Sequence, residues 1–504
     1  MKTRKNSKIE CLIKKSTKKN KKNKKTLIAN EISFDTEPNT YEKNGWKYIA
    51  ISGSPKKRGH QYGLACATDF KDIQNMLGFF MMETYGYPWD FFIREINVDF
   101  KEMTKKEYPE FYEEMEGIAE GLIEAGINTT IDEIIAWNFY LSIPYWLSTR
   151  SDTSVGKEGG GKGGDIHDET IQPADSNMKQ IHSQHGARDH CSAFIATGSD
   201  WTNDGKIVMA HNSFTDFIDG QYSNIILDIT PEKGKGSRIL MQTSAAWIWS
   251  GTDFFLTSVG LIGTETTIGG FFPYKKRIPI GYRIREAMQY GVDLDDYCRI
   301  LLKGNSGDYA NSWLFGDTRT GEILRLELGL EYHAIDRTKN GYFIGFNATY
   351  DPQIRNLECI NSGFYDIRRH QGARRVRLGE LMEQYKGRLD IKIAQRIIAD
   401  HYDVYLHRKN HPCSRTVCSH YDLDAREYMS QADRPKPYSP HGAVDGCVID
   451  TKMAEKMSFL GRYGNSCGIP FNSEKFCQEH PQWANFGVYL KDRPRQPWTY
   501  FKAS

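Results

Sequence analysis

Cys191 is the residue whose type and setting offer the most chemistry. It opens an apolar, strand-like run, Cys191-Ser192-Ala193-Phe194-Ile195-Ala196, directly behind about forty residues of Gly-rich, polar chain. A thiol at the start of a strand, behind a dispensable linker, is the pattern expected of a cysteine made N-terminal by self-cleavage between His190 and Cys191. Such a residue carries its own base, because an α-amino group with an ordinary pKa of roughly 7.7–8.0 can take the thiol proton at neutral pH. Before cleavage the same thiol could attack the carbonyl of His190, so one nucleophile would serve both maturation and turnover. The alternative is a buried structural cysteine, since free Cys behaves as a small hydrophobe.

The next element supplies candidate partners. A strand over 191–197, a turn holding Asn203-Asp204-Gly205 and a second strand, Ile207-Val208-Met209-Ala210, read as a hairpin. Antiparallel pairing returns the far end of the second strand to the start of the first, which brings His211 and Asn212 near Cys191. Asn212 could orient the amine or donate to an oxyanion, or be a polar strand end. A neutral His211 could position the amine, or be a satisfied edge histidine.

Four regions position these residues. Residues 1–35 are a basic tail; within 1–25 there are twelve Lys/Arg and one acid, Glu10, so the segment carries +11 of a net +2 and the rest carries −9. So basic and apolar-poor a tail is expected to be disordered and to make at most a weak anionic-surface contact. Residues 36–150 read as mostly helical after a short strand at Lys47–Ile51. Apolar residues at 111, 115, 118, 119 and 122 form a helical stripe, and Thr130 caps a further helix. Residues 151–190 are a flexible linker, with six glycines among the nine residues from Gly156 to Gly164. A long flexible insert in mid-chain is uncommon without a job, and being cut is one such job. Residues 191–504 alternate runs of strands with grouped helices, which predicts an α+β fold with layered sheets. Strands are expected near 222–230, 238–245 and 254–267, helices near 280–303, 365–385 and 391–403, and hairpins at 312–329 and 332–346.

Composition narrows the function. At 504 residues and 39% hydrophobic content the chain can bury a large core. The basic tail leads into no apolar run of signal-peptide type and no stretch is long enough to cross a bilayer, so compartment is left open. Ten scattered cysteines make no disulfide framework. Cys413 and Cys418 alone lack the four ligands zinc wants, and His182, His185 and His190 sit on the linker, so neither metal nor cofactor is expected. No Gly-x-Ser-x-Gly elbow, phosphate loop or dinucleotide fingerprint occurs, and the body has no nucleic-acid motif. Asn128-Thr129-Thr130 and Asn347-Ala348-Thr349 match the N-glycosylation pattern.

Several stretches resemble the phospholipase B-like family, related to the penicillin acyltransferase and bile-salt hydrolase type of N-terminal-nucleophile hydrolases. They are Cys191-Ser192-Ala193, Val208 to Phe214, Gly260 to Gly269, Asn305 to Trp313 and His441 to Asp445; Gly53-Ser54-Pro55 with Arg58-Gly59 and Gly63 is more similar to the acyltransferase branch. The resemblance implies a four-layer αββα sandwich and a precursor cut just before Cys191, its N-terminal chain remaining as partner. It also implies that Thr266 approaches the nucleophile and that Asn311 is an amide donor on the neighbouring strand. Thr-Thr is also ordinary strand composition and Asn311 an ordinary turn residue. Two departures are the Lys-rich tail, where family members usually carry a signal peptide for lysosomal or secreted destinations, and the short pro-region.

Substrate expectations follow. Trp247 and Phe254 flank the Thr266 strand and would suit an acyl pocket or a core, while Asp216 and Arg415 could pair with the free amine or a substrate carboxylate. The leading expectation is a cysteine hydrolase of fatty-acyl ester or amide bonds in (phospho)lipids. A small-peptide or N-acyl amidase or acyltransferase is the alternative. A non-catalytic protein docking through its basic tail is a third.

Overall fold

The computed structural model describes residues 38–150, 191–360, 362–425 and 437–504. The basic tail, the linker 151–190 and the proposed cut site at His190 lie outside the described residues.

Among the described residues, sixteen strands form two sheets. The nine-stranded sheet runs β1-β2-β5-β6-β7-β8-β9-β10-β11. Its members are β1 (Asn39–Lys43), β2 (Trp46–Gly53), β5 (Ile225–Pro231), β6 (Ile239–Thr243), β7 (Phe254–Thr257), β8 (Leu261–Thr267), β9 (Asn311–Asp317), β10 (Glu322–Leu328) and β11 (His333–Thr338). The second sheet runs β12-β3-β4-β14-β15-β16, with β13 paired to β4. Its members are β3 (Cys191–Thr197), β4 (Val208–Asp216), β12 (Gly341–Gly345), β13 (His441–Ala443), β14 (Asp445–Asp450), β15 (Ser458–Tyr463) and β16 (Thr499–Lys502).

The strands are apolar on both faces because both faces are covered. Alternate residues Ala193, Ile195, Met209, Ile226, Leu240, Ile262 and Leu314 meet in one buried cluster between the sheets. On the outer face of the larger sheet, Ile49, Leu227, Met241 and Phe315 pack under six helices. These are α1 (Pro55–Tyr85), α2 (Trp89–Glu107), α3 (Pro109–Glu124), α4 (Ile131–Asn138), α5 (Ile280–Tyr290) and α6 (Leu294–Leu302). On the outer face of the smaller sheet, Phe194, Ala196, Val208 and Ala210 pack against α7 (His370–Gln384) and α8 (Ile391–Ile398). This is the expected αββα sandwich.

The segment before the linker is woven into that sandwich. β2 pairs in parallel with β5, so residues 38–53 supply two strands of the larger sheet rather than a detachable appendage. Ser54 caps α1 with Pro55 in its first turn, and Thr130 caps α4 by accepting from the Glu133 amide. Helices α1 and α3 touch backbone to backbone through Gly59, Gly63, Gly117 and Gly121. A Cβ on Gly63 would lie 2.2 Å from the Ile118 carbonyl oxygen, and one on Gly121 2.2 Å from that of His60. Gly63→Ala should therefore force the helices apart and cost about 1–3 kcal/mol or more, measured by urea unfolding.

One expected hairpin is not formed. Residues 332–346 do give two strands around Asn340-Gly341, but β11 pairs with β10 in the larger sheet while β12 pairs with β3 in the smaller. The turn crosses between layers. The largely exposed β11 closes one edge of its sheet, whereas Phe343 and Ile344 of β12 line up with Ile195 and Phe194.

Candidate active site

The ladder between β3 and β4 decides which side chains meet Cys191. Cys191 is opposite Ser213, Ser192 opposite Asn212 and Ala193 opposite His211. Residues facing each other across a ladder share a face, and successive residues alternate. Cys191, Ala193, His211 and Ser213 therefore point between the sheets. Ser192 and Asn212 point the other way, towards α7 and α8. The expectation that Asn212 reaches the nucleophile is corrected by this one-residue parity. Its Oδ1 accepts from the Ser192 amide at 3.1 Å, and its Nδ2 donates to the carbonyls of Ile398 and Val417. Asn212 anchors the strand from behind.

His211 is brought to the thiol. Ligating atoms of Cys191, His211 and Asp253 all lie within 4.8 Å of one another, and all three residues are buried. Neither ring nitrogen of His211 has a regular hydrogen-bond partner, and burial depresses its pKa to about 3. A ring so reluctant to protonate is a poor base and acts as a neutral group.

Two residues from far along the chain complete the backbone cradle, and sequence reasoning assigned a role to neither. Asn347 Oδ1 accepts from the Cys191 amide at 3.3 Å, while its Nδ2 donates to the Thr267 carbonyl at 2.8 Å. Arg374, on α7, donates to the Cys191 carbonyl, to Ser192 Oγ at 3.1 Å and to Asn347 Oδ1 at 2.8 Å. One guanidinium thus fixes the residue on both sides of the nucleophile's Cα, a geometry its planar fork suits. Asn347 is wholly buried, which removes it as a glycosylation site; Asn128 is exposed.

Around the thiol stand three buried acids, Asp253, Glu265 and Asp445. Asp253 accepts from the Tyr309 hydroxyl at 2.9 Å, and Glu265 lies against Asp253 with neither of its oxygens in a regular hydrogen bond. Burial raises both carboxyls, and Glu265 raises Asp253 further by repulsion. Asp445, which accepts from the Ser213 amide at 2.8 Å and Gln242 Nε2 at 2.7 Å, is raised to about 6 by burial. Burial, then Glu265, Asp253 and Asp445, push the Cys191 thiol well above its ordinary range; Arg374 opposes them. A thiol held that high keeps its proton at neutral pH. Asp253, Tyr309 and Asn347 adopt left-handed backbone at φ +63°, +50° and +63°, strain of the kind that collects at functional sites.

The pH dependence of stability has a sign. Carboxyls held high favour folding below their ordinary range, near pH 4, and that contribution is lost as pH rises through their folded values, about 7 for Glu265. His211 works oppositely, its contribution being lost as pH falls from 6.5 towards about 3. Glu265→Gln should stabilise the protein at pH 8 by about 1–3 kcal/mol and by little at pH 4, read from urea unfolding at the two pH values.

Thr266 and Asn311 lie beside the thiol's strand without a hydrogen bond to the thiol. Thr266 presses on Gly345, where a Cβ would fall 2.5 Å from its Cγ2. Asn311 is opposite Thr267 in the β8–β9 ladder, and neither amide atom of this buried side chain has a partner. Cys191 opens into a narrow cavity of about 40 Å³ shared with Ser213, Trp137, Tyr140, Trp247 and Tyr309. Trp247 lines it and also belongs to the core under the helices. Phe254 does not; it fills the core between the sheets beside Phe459, with ring centroids 5.3 Å apart. Asp216 and Arg415 also lie off the cavity lining. Asp216 meets His441 Nδ1 at 3.0 Å, and Arg415 is held in a buried ion pair by Asp403, its Nε 3.0 Å from Oδ1. Their expected substrate contacts are corrected by these engagements. Among the described residues, no helix is long and apolar enough to cross a membrane.

Comparison with known proteins finds distant similarities. No family profile matches the chain. It is 24% identical over 263 residues to "Putative phospholipase B-like 2" of Rattus norvegicus and 23% identical to that of Mus musculus, covering 45% of this chain in both cases. The chain is distantly similar to these phospholipase B-like proteins. It spans under half the length of these relatives, 44% and 43%. An uncharacterized protein of Archaeoglobus fulgidus is 22% identical over 55% of this chain and 42% of its own. Among solved structures, penicillin V acylase from Agrobacterium tumefaciens aligns at TM-score 0.31 and 12% identity, over 54% of this chain and 83% of that one. A single-residue variant of conjugated bile acid hydrolase from Clostridium perfringens aligns at TM-score 0.27 and 10% identity, over 55% and 84%.

Proposed function

We propose that this phospholipase B-like relative is a hydrolase that uses Cys191, freed at its amino group by self-cleavage after His190, to cleave acyl ester or amide bonds. The observation that carries the proposal is the cradle itself: the Cys191 amide nitrogen sits 3.3 Å from Asn347 Oδ1, in a buried site that holds a strongly shielded, protonated thiol. A peptide nitrogen there is no base. The amine left by cleavage would be one, with its proton inventory suited to neutral pH.

In maturation, Sγ attacks the carbonyl carbon of His190, the peptide nitrogen leaves as the amine, and water opens the thioester to a carboxylate. In turnover, the thiol proton passes to that amine, Sγ forms a thioester with the substrate's acyl group, and the amine returns the proton to the departing alcohol or amine. Water then releases the acid. Trp137, Tyr140 and Leu141 of the pre-linker segment wall the cavity beside Cys191, so the cleaved N-terminal chain stays part of the enzyme.

Two substrate classes divide the proposal. Lipid acyl groups fit the relatives' name. Small N-acyl amides are the second, and the aromatic lining of Trp137, Tyr140 and Trp247 would suit the acyl group of either. Purified protein offered a phospholipid and, separately, N-acyl amino acids tests this: acid release from either supports a hydrolase, its source names the class, and release from neither contradicts the proposal.

A further inference from the structure

Behind the nucleophile's strand, four metal-binding side chains converge from three separate segments. They are His401, just beyond α8, Cys418 and His420 in the loop that follows, and Cys467 after β15. Their ligating atoms lie within 4.8 Å of one another. Cys418 Sγ is 3.5 Å and Cys467 Sγ 3.4 Å from His420 Nε2. Zinc bonds of about 2.3 Å to sulfur and 2.0–2.1 Å to nitrogen, at tetrahedral angles, put S and N about 3.5 Å apart. The rings of His401 and His420 are 5.1 Å apart, and His401 Nε2 is buried without a regular hydrogen-bond partner.

The surroundings fit a closed metal centre. Asp422 Oδ1 is 3.4 Å from His420 Nδ1, the nitrogen turned away from the sulfurs, as in carboxylate–histidine–metal triads. The Ile469 amide donates to Cys467 Sγ at 3.4 Å. All cysteines among the described residues are unbridged.

We propose that Cys418, Cys467, His401 and His420 form a structural zinc site. The two-thiolate, two-imidazole donor set selects zinc over harder cations, and four protein ligands leave no position for substrate. Binding Zn²⁺ displaces the two thiol protons to solvent. The site clamps the three segments that hold Asn212: its Nδ2 donates to the Ile398 carbonyl, the Val417 carbonyl and, at 3.1 Å, Ser466 Oγ. Each of these lies within three residues of a proposed ligand. Asn212 in turn holds the Ser192 amide, next to Cys191.

The test needs no substrate. Full-length protein prepared under reducing conditions with zinc supplied is dialysed, and its metal content is measured by mass spectrometry. One zinc per chain is expected, with Cys477→Ser unchanged and Cys418→Ser and Cys467→Ser losing it. Asp422→Asn should bind zinc about 10–100-fold more weakly in competition with a chromophoric chelator. Cobalt replacing zinc should give the intense visible bands of tetrahedral thiolate coordination. A wild-type protein without stoichiometric zinc, zinc retained in both Cys418→Ser and Cys467→Ser, or a Cys418–Cys467 disulfide in the peptide map of the native protein overturns the proposal.

Discussion

Cys191→Ala should leave the polypeptide uncut at 504 residues and lower acyl hydrolysis by about 10⁴-fold or more. Both losses come from one atom, since the same sulfur is assigned to the chain's own carbonyl and to the substrate's. The fold should survive. Cys191 is buried and begins a strand between β12 and β4, and alanine keeps the Cβ and the amide that Asn347 accepts. Gel mobility under denaturing conditions, activity and urea unfolding, read together on one preparation, separate this outcome from misfolding. A variant that is cut normally would remove the thiol from maturation.

The second large effect is expected at Arg374. Removing it withdraws donors from the Cys191 carbonyl, Ser192 Oγ and Asn347 Oδ1 together, and also the cation that offsets three acids around the thiol. Arg374→Ala should slow turnover by about 10²–10³-fold, the cost of losing a preorganised donor in a water-poor site. It should also push the thiol higher still, so that alkylation at a fixed pH slows. Arg374→Lys restores charge without the fork, and should recover alkylation more than turnover. Equal recovery of both would mean that the charge alone matters.

The part of this site that is legible in the sequence is local. Two short apolar runs flanking Asn203-Asp204-Gly205 specify the β3–β4 hairpin, and that hairpin delivers His211 to Cys191. Parity is what fails for Asn212, because a ladder shifted by one residue moves a side chain to the opposite face. Asn347 and Arg374 are out of reach for a different reason. They join the site from 156 and 183 positions away, through the crossing from β11 to β12 and the packing of α7, and no local pattern encodes either. Asn347 is visible only as a glycosylation pattern, and Tyr309 only as a member of the Asn305–Trp313 stretch. The α3 stripe, by contrast, is fully written in the chain: Phe111, Met115, Ile118, Ala119 and Leu122 are all buried. The cluster around Cys418 escapes a local reading for the same reason as Asn347, since the side chains that meet it are His401, His420 and Cys467 rather than Cys413.

Intact mass with N-terminal sequencing of catalytically active protein tests the central claim most directly. Two associated chains are predicted, the second beginning Cys-Ser-Ala-Phe-Ile. Full activity in a population whose peptide bond between residues 190 and 191 is intact would contradict it.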